Sequence, residues 1–92
     1  MSQSQSKPLT SAQIRAARAL LRWTVQNLAR ESALGVATIK RAEAAEPDTS
    51  MTAANNLAVR RALESEGIEF IDENGGGPGL RLRKAQQLGK RK

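Results

Sequence analysis

Lys40 and Arg41 stand side by side in a short segment of helical periodicity, and Arg15, Arg18 and Arg22 recur at three- and four-residue spacing in an earlier one. Cations set on helical faces make no bonds of their own; their chemistry is the binding of a polyanion. Groups that would make or break bonds are scarce. The chain has no His and no Cys, which removes the usual base near neutral pH, the usual metal ligand, thiolate zinc sites and disulfides. Carboxylates and lysines remain, but no pair of them falls beside a glycine-rich loop or a second polar cluster in the pattern of an active site. No enzymatic activity, metal or cofactor is expected.

The cations are distributed in blocks. A net charge of +6 over 92 residues conceals a basic segment at 1–42 (seven basic side chains, one acidic), an acidic one at 43–73 (two basic, eight acidic) and a basic tail at 74–92 (six basic, none acidic). One face turned to a polyanion and another kept for the protein itself or a partner would produce this alternation. A chain of this length with 39% apolar residues holds one core, and with one Trp (Trp23) and one Phe (Phe70) that core is poor in the side chains that bury most area. A marginal monomer or a dimer is therefore expected. Residues 1–10 lack both a charged start and an apolar centre, so neither a signal peptide nor a membrane span is expected, and the expected location is the cytoplasm, at the nucleoid.

The elements that must position the cations follow from periodicity and punctuation. Residues 1–9 (MSQSQSKPL) are Ser/Gln-rich and predict a disordered arm. Thr10 and Gln13 have the spacing of a capping box, followed by Ile14, Ala17, Leu20 and Leu21 at helical intervals. Thr24 is a second N-cap, opening a helix from Val25 to about Ser32. After a break at Ala33, Leu34 and Gly35, a third helix runs from Val36 to about Ala45, with Ile39 and Ala42 inward and Val36, Ala37, Lys40 and Arg41 outward. Pro47 stops it. A fourth helix spans about Met51–Glu66 with Val59, Ala62 and Leu63 on one face; Gly67 ends it, and Ile68 is placed to fold back on Leu63. The period then changes to two. Residues 68–71, the turn Asn74–Gly79 (NGGGPG), and the alternation Leu80, Arg81, Leu82, Arg83 predict a β-hairpin with the leucines on its buried face. Residues 84–92 predict a loose basic tail.

Two short helices joined by three residues, the second basic on its outer side and with a small residue (Ala29) where they approach, describe a helix-turn-helix, with Leu28, Leu34, Ile39 and Ala42 as the shared interior. The stretch WTVQNLARESALGVATIKRAE, with SAQIRAARALL before it, resembles the Xre/Cro-type helix-turn-helix family of phage repressors and small bacterial transcription regulators, and GIEFIDENGGGPGLRLR is similar to the hairpin that ends many small bacterial members. The resemblance implies a mainly α fold of four to five helices, a lambda-repressor-like helix-turn-helix domain over residues 10–83 that closes with a C-terminal β-hairpin at 68–83. It implies a sequence-specific regulator of transcription, most simply a repressor, that binds double-stranded DNA at an inverted-repeat operator. Val25–Ser32 would position and Val36–Ala44 would read, with Val36, Ala37, Lys40 and Arg41 facing bases in the major groove and Thr24, Gln26 and Thr38 facing phosphate. Three positions depart from the family's pattern. Ala33 stands where Gly is usual, Gly35 where a Ser or Thr cap is usual, and Val36 with Ala37 where polar base-reading residues are usual.

Alternative readings accompany these. Trp23 fits a core residue better than a stacking platform, and Arg15, Arg18 and Arg22 fit a solvated face as well as a phosphate contact. NGGGPG lacks the Lys-Ser/Thr ending of a phosphate loop. Glu64, Glu66 and Glu69 fit a solvated rim better than a cation site. A homodimer through the fourth helix and the hairpin is expected. A rival function is an antitoxin or anti-activator module that acts mainly by binding another protein.

Overall fold

The computed structural model describes residues 7–83. Along the chain run α1 (Ser11–Leu21), α2 (Val25–Ser32), α3 (Val36–Ala44), α4 (Ala53–Glu64), β1 (Ile68–Ile71) and β2 (Gly79–Leu82). The mainly helical fold with its closing hairpin is the architecture that the sequence predicts, with four helices among the described residues. Helix α4 is shorter than expected, because Thr52 caps it by accepting the Asn55 N–H at 3.1 Å, which leaves Met51 outside, and its last turn is spent by Glu64. Glu66 lies in the turn that Gly67 closes at φ 103°. The loose basic tail expected at 84–92 lies outside the described residues.

Helix α1 starts as its sequence dictates. Thr10 Oγ1 accepts the Gln13 N–H at 3.1 Å and Gln13 Oε1 accepts the Thr10 N–H at 2.9 Å, so two otherwise unpaired donors are satisfied reciprocally. The helices close on Ile14, Leu28, Ile39, Val59 and Leu63, all fully buried. Trp23 packs against this cluster, half-buried, in the core role expected of it.

The expected disordered arm at 1–9 needs correction at its end. Leu9 is a core residue at 1% exposure, its N–H donates to Asn56 Oδ1 at 2.9 Å, and Arg60 Nη2 donates to the Lys7 carbonyl at 2.9 Å. Asn56 and Arg60 are one turn apart on α4, so residues 7–9 form a strap along that helix. The Ser/Gln-rich composition of the window concealed one leucine and the two polar hooks that await it. Arg60, only 3% exposed, stands 5.3 Å from the centre of the Phe70 ring and also reaches Glu64 at 3.3 Å.

The hairpin pairs Ile68 with Leu82, Glu69 with Arg81, Phe70 with Leu80 and Ile71 with Gly79. One face therefore carries Ile68, Phe70, Leu80 and Leu82, as the alternation predicts, although Leu82 lies at the rim with 38% exposure. On the other face Glu69 and Arg81 form two hydrogen bonds at 3.1 and 3.2 Å. A two-stranded sheet is marginal alone and must be anchored. Gln13 supplies that anchor: the same amide that completes the α1 cap donates from Nε2 to the Gly79 carbonyl at 2.9 Å and the Ile71 carbonyl at 3.5 Å. The loop 45–52 contains a cis Glu46–Pro47 bond and is tied to α1, where the Pro47 carbonyl accepts the Ser11 N–H at 3.1 Å. Among the described residues no helix is long and apolar enough to cross a membrane.

Candidate nucleic-acid interface

The two helices of the motif are set by their ends. Thr24 Oγ1 accepts the Asn27 N–H at 3.0 Å while Asn27 Oδ1 accepts the Thr24 N–H at 2.9 Å, a second reciprocal cap that starts α2 one residue after Trp23. At its other end Ala33 adopts φ 62°, ψ 31°, and the Leu34 N–H donates back to the Ala29 carbonyl at 3.0 Å. The left-handed residue turns the chain through the corner, and Leu34 packs on the core beyond it. Gly35 then stands at the N-cap of α3 with φ −74° and no side-chain cap. Ala29, at 5% exposure, faces the interior with Leu28, Ile39 and Ala42, as expected of the shared core.

The sequence-predicted contact residues fall on one side of this frame with differing freedom. Ala37, Lys40 and Arg41 are exposed on α3, and no ion pair among the described residues engages either cation. Thr24 and Gln26 are exposed at the start of α2, where unpaired backbone N–H groups and the helix dipole favour an anion. Thr38 is half-buried, on the border of a cleft of ≈ 350 Å³ shared with Arg41, Thr49, Ser50 and Asn55. Val36 needs correction: it is half-buried and packs against the core, because the first turn of α3 lies close over the motif's interior. Its outward reach is smaller than the spacing implied.

The basic stripe on α1 is also corrected. Arg18 grips Glu43 with two hydrogen bonds, Nε to Oε2 at 2.7 Å and Nη2 to Oε1 at 2.8 Å, while its Nη1 donates to the Trp23 carbonyl at 3.0 Å. Arg15 Nη1 donates to Glu46 Oε2 at 2.7 Å and to the Glu43 carbonyl at 2.6 Å. Two of the three arginines are thus spent in fastening the C-terminal end of α3 to α1, and Arg22, left-handed at φ 59° between α1 and α2, is the exposed one that remains. The hydrogen bonds to Glu43 hold the Arg18 guanidinium above its ordinary pKa in spite of burial. Glu43 is 8% exposed. A signal for it was present, since Ile39, Ala42 and Glu43 follow the i, i+3, i+4 spacing of one helical face.

The arrangement presents a rigidly seated basic helix beside a helix N-terminus, a surface suited to a polyanion of regular shape. Among the described residues no cluster of His, Asp or Glu could hold a metal ion. No protein-family model matches this sequence, and the search of curated proteins returns no match.

Proposed function

We propose that the chain is a sequence-specific double-stranded DNA-binding regulator of transcription, most simply a repressor, which reads the major groove with α3 and works as a homodimer through α4 and the hairpin. The observation that carries this reading is the seating of α3: left-handed Ala33 fixes its angle to α2, the Arg18–Glu43 clamp fixes its far end, and Lys40 with Arg41 are left exposed on its outer side with no ion pair among the described residues. Arg41 suits a guanine edge, Ala37 a thymine methyl, and Lys40 either guanine or phosphate. Thr24 and Gln26 at the start of α2 suit the flanking phosphates. The resemblance to Xre/Cro-type regulators supports the same assignment. Two copies would read half-sites about 34 Å apart on an inverted repeat.

The test is capture of fragmented genomic DNA by the purified protein at physiological salt, followed by sequencing. Enrichment of a short inverted repeat is the expected result, and the double variant Lys40→Ala with Arg41→Ala should lose it while melting as the parent does. Recovery of DNA without a shared motif would refute sequence-specific reading. The rival, a module that binds mainly protein, is favoured by one observation, the apolar and partly withdrawn first turn of α3 at Val36 and Ala37. Unchanged operator affinity in the double variant would move the assignment towards it.

A further inference from the structure

The loop between β1 and β2 serves neither the DNA-facing side nor the core, yet its polar groups are arranged with some order. It contains an Asn-Gly step, Asn74–Gly75, with both residues exposed. Glu73 Oε2 accepts the Gly75 N–H at 2.8 Å and the Gly77 N–H at 3.0 Å, while Asn74 Oδ1 accepts the Gly76 N–H at 3.3 Å. Gly75 has φ +106°, and a Cβ added there would meet nothing within 4 Å. The space beside Gly75 where a side chain would stand is open.

We propose that Asn74 is a self-modification site, converted to aspartate and isoaspartate by intramolecular attack of the Gly75 amide nitrogen, with Glu73 as the assisting carboxylate. The nitrogen bonds to Asn74 Cγ and closes a five-membered imide; its proton passes to the Glu73 carboxylate. The Cγ–Nδ2 bond then breaks, and Nδ2 takes up that proton and leaves as ammonia. Water adds to one imide carbonyl or the other, restoring a normal peptide bond with an aspartate side chain or leaving an isoaspartyl link. The balance is one amide and one water consumed, one acid and one ammonia formed, and no further reactant is needed.

Each contact has a part in this chemistry. The carboxylate on the Gly75 N–H raises electron density on the attacking nitrogen and gives its proton a destination. The Gly76 N–H on Asn74 Oδ1 polarises the carbonyl and holds the oxyanion that forms on attack. Glycine at 75 leaves the approach open. The other asparagines lack this setting: Asn27, Asn55 and Asn56 lie within helices, none is followed by glycine, and the N–H groups of Leu28 and Asn56, which follow Asn27 and Asn55, are held by the carbonyls of Thr24 and Thr52. Conversion adds a carboxylate beside Asp72 and Glu73 at the hairpin tip, and the isoaspartyl form lengthens the loop backbone by one carbon.

The experiment follows the intact protein at neutral pH and 37 °C by peptide mass and by chromatographic separation of the isoaspartyl form. The parallel samples are the Glu73→Gln variant, which keeps the hydrogen-bonding shape but loses the proton acceptor, and the parent chain unfolded in guanidinium. The expected result is conversion at Asn74 with Asn27, Asn55 and Asn56 intact. The folded parent should react at least threefold faster than both the variant and the unfolded chain. A thermal melt confirms that the variant folds, as expected for a side chain bonded only within its loop. An Asn74 that stays intact in the folded protein, or equal rates in parent, variant and unfolded chain, would overturn the proposal.

Discussion

Replacing Ala33 by glycine should stabilise the protein, although it removes a side chain from the corner between α2 and α3. Ala33 holds φ 62°, ψ 31°, a region where a Cβ crowds the neighbouring carbonyl, and its methyl is exposed, so its loss gives up no burial. The left-handed conformation costs about 1 to 2 kcal/mol for a residue with a Cβ. Glycine is free of that penalty but brings about 0.5 to 1 kcal/mol of extra chain entropy to the unfolded state. At the midpoints of these ranges the difference is a gain of about 0.75 kcal/mol, which in a domain of this size raises the melting temperature by about 3 to 6 °C. The Leu34 N–H bond to the Ala29 carbonyl depends on the corner and not on the methyl, so it remains. Thermal and urea melts of parent and Ala33→Gly at equal protein concentration measure the change. A variant that melts below the parent would refute the reasoning, because it would mean that the corner is not held left-handed in solution.

Four further outcomes are expected. Gly35→Ser should also stabilise, by about 1 kcal/mol, since φ −74° suits serine and an added Cβ meets only Thr38 Oγ1 at 4.0 Å; Gly35→Ala, which cannot cap, should gain less in the same melts. Arg18→Met should cost about 2 to 3 kcal/mol, below the cost of breaking a wholly buried pair because the arginine is 23% exposed, and the proposed DNA binding should weaken as the end of α3 loosens. Gln13→Glu keeps the capping oxygen but sets a carboxylate against the Gly79 and Ile71 carbonyls, so it should cost about 2 kcal/mol and speed hydrogen exchange in the hairpin before the helices. Hydrogen bonds from Arg81 hold the Glu69 carboxyl below its ordinary value of 4.5. Its pairing therefore supports the hairpin above that pH and is lost as the pH falls through the lowered folded value. An NMR titration should show the depression, and Arg81→Gln should remove most of it, leaving the smaller pull of Arg83.

Much of the frame was legible because it rests on local signals. The caps at Thr10 and Thr24, the break at 33–35, the stop at Pro47 and the glycine turn of the hairpin all act within a few residues of themselves, and each appears where its chemistry places it. What escaped were polar groups with two possible partners far apart in sequence. Arg18 and Glu43 are 25 residues apart, and a lone arginine at helical spacing looks the same whether it faces phosphate or a buried carboxylate. Gln13 was legible as a cap and not as the anchor of a strand 66 residues away. Leu9 was lost in a polar window, because composition averages over a segment while burial is decided residue by residue. Val36 shows the limit of a helical wheel, which gives direction around an axis but not the depth at which the helix sits.

The strap at residues 7–9 and the end of β2 share one support. Arg60 holds the Lys7 carbonyl, and one turn further along α4 the Glu64 carbonyl accepts a hydrogen bond from the Arg83 guanidinium at 3.1 Å. The two ends of the described chain are thus neighbours across a single helix, which makes the order of connection separable from the packing. A circularly permuted chain, opened in the glycine loop at 75–77 and rejoined from residue 83 to residue 7 by a short flexible linker, would begin with β2 and end with β1. Every contact described for the core would survive in it, and α3 would stay near the middle of the polypeptide, far from either terminus. What this small domain requires is adjacency of its parts, and the thread that joins them can be cut at its most yielding place.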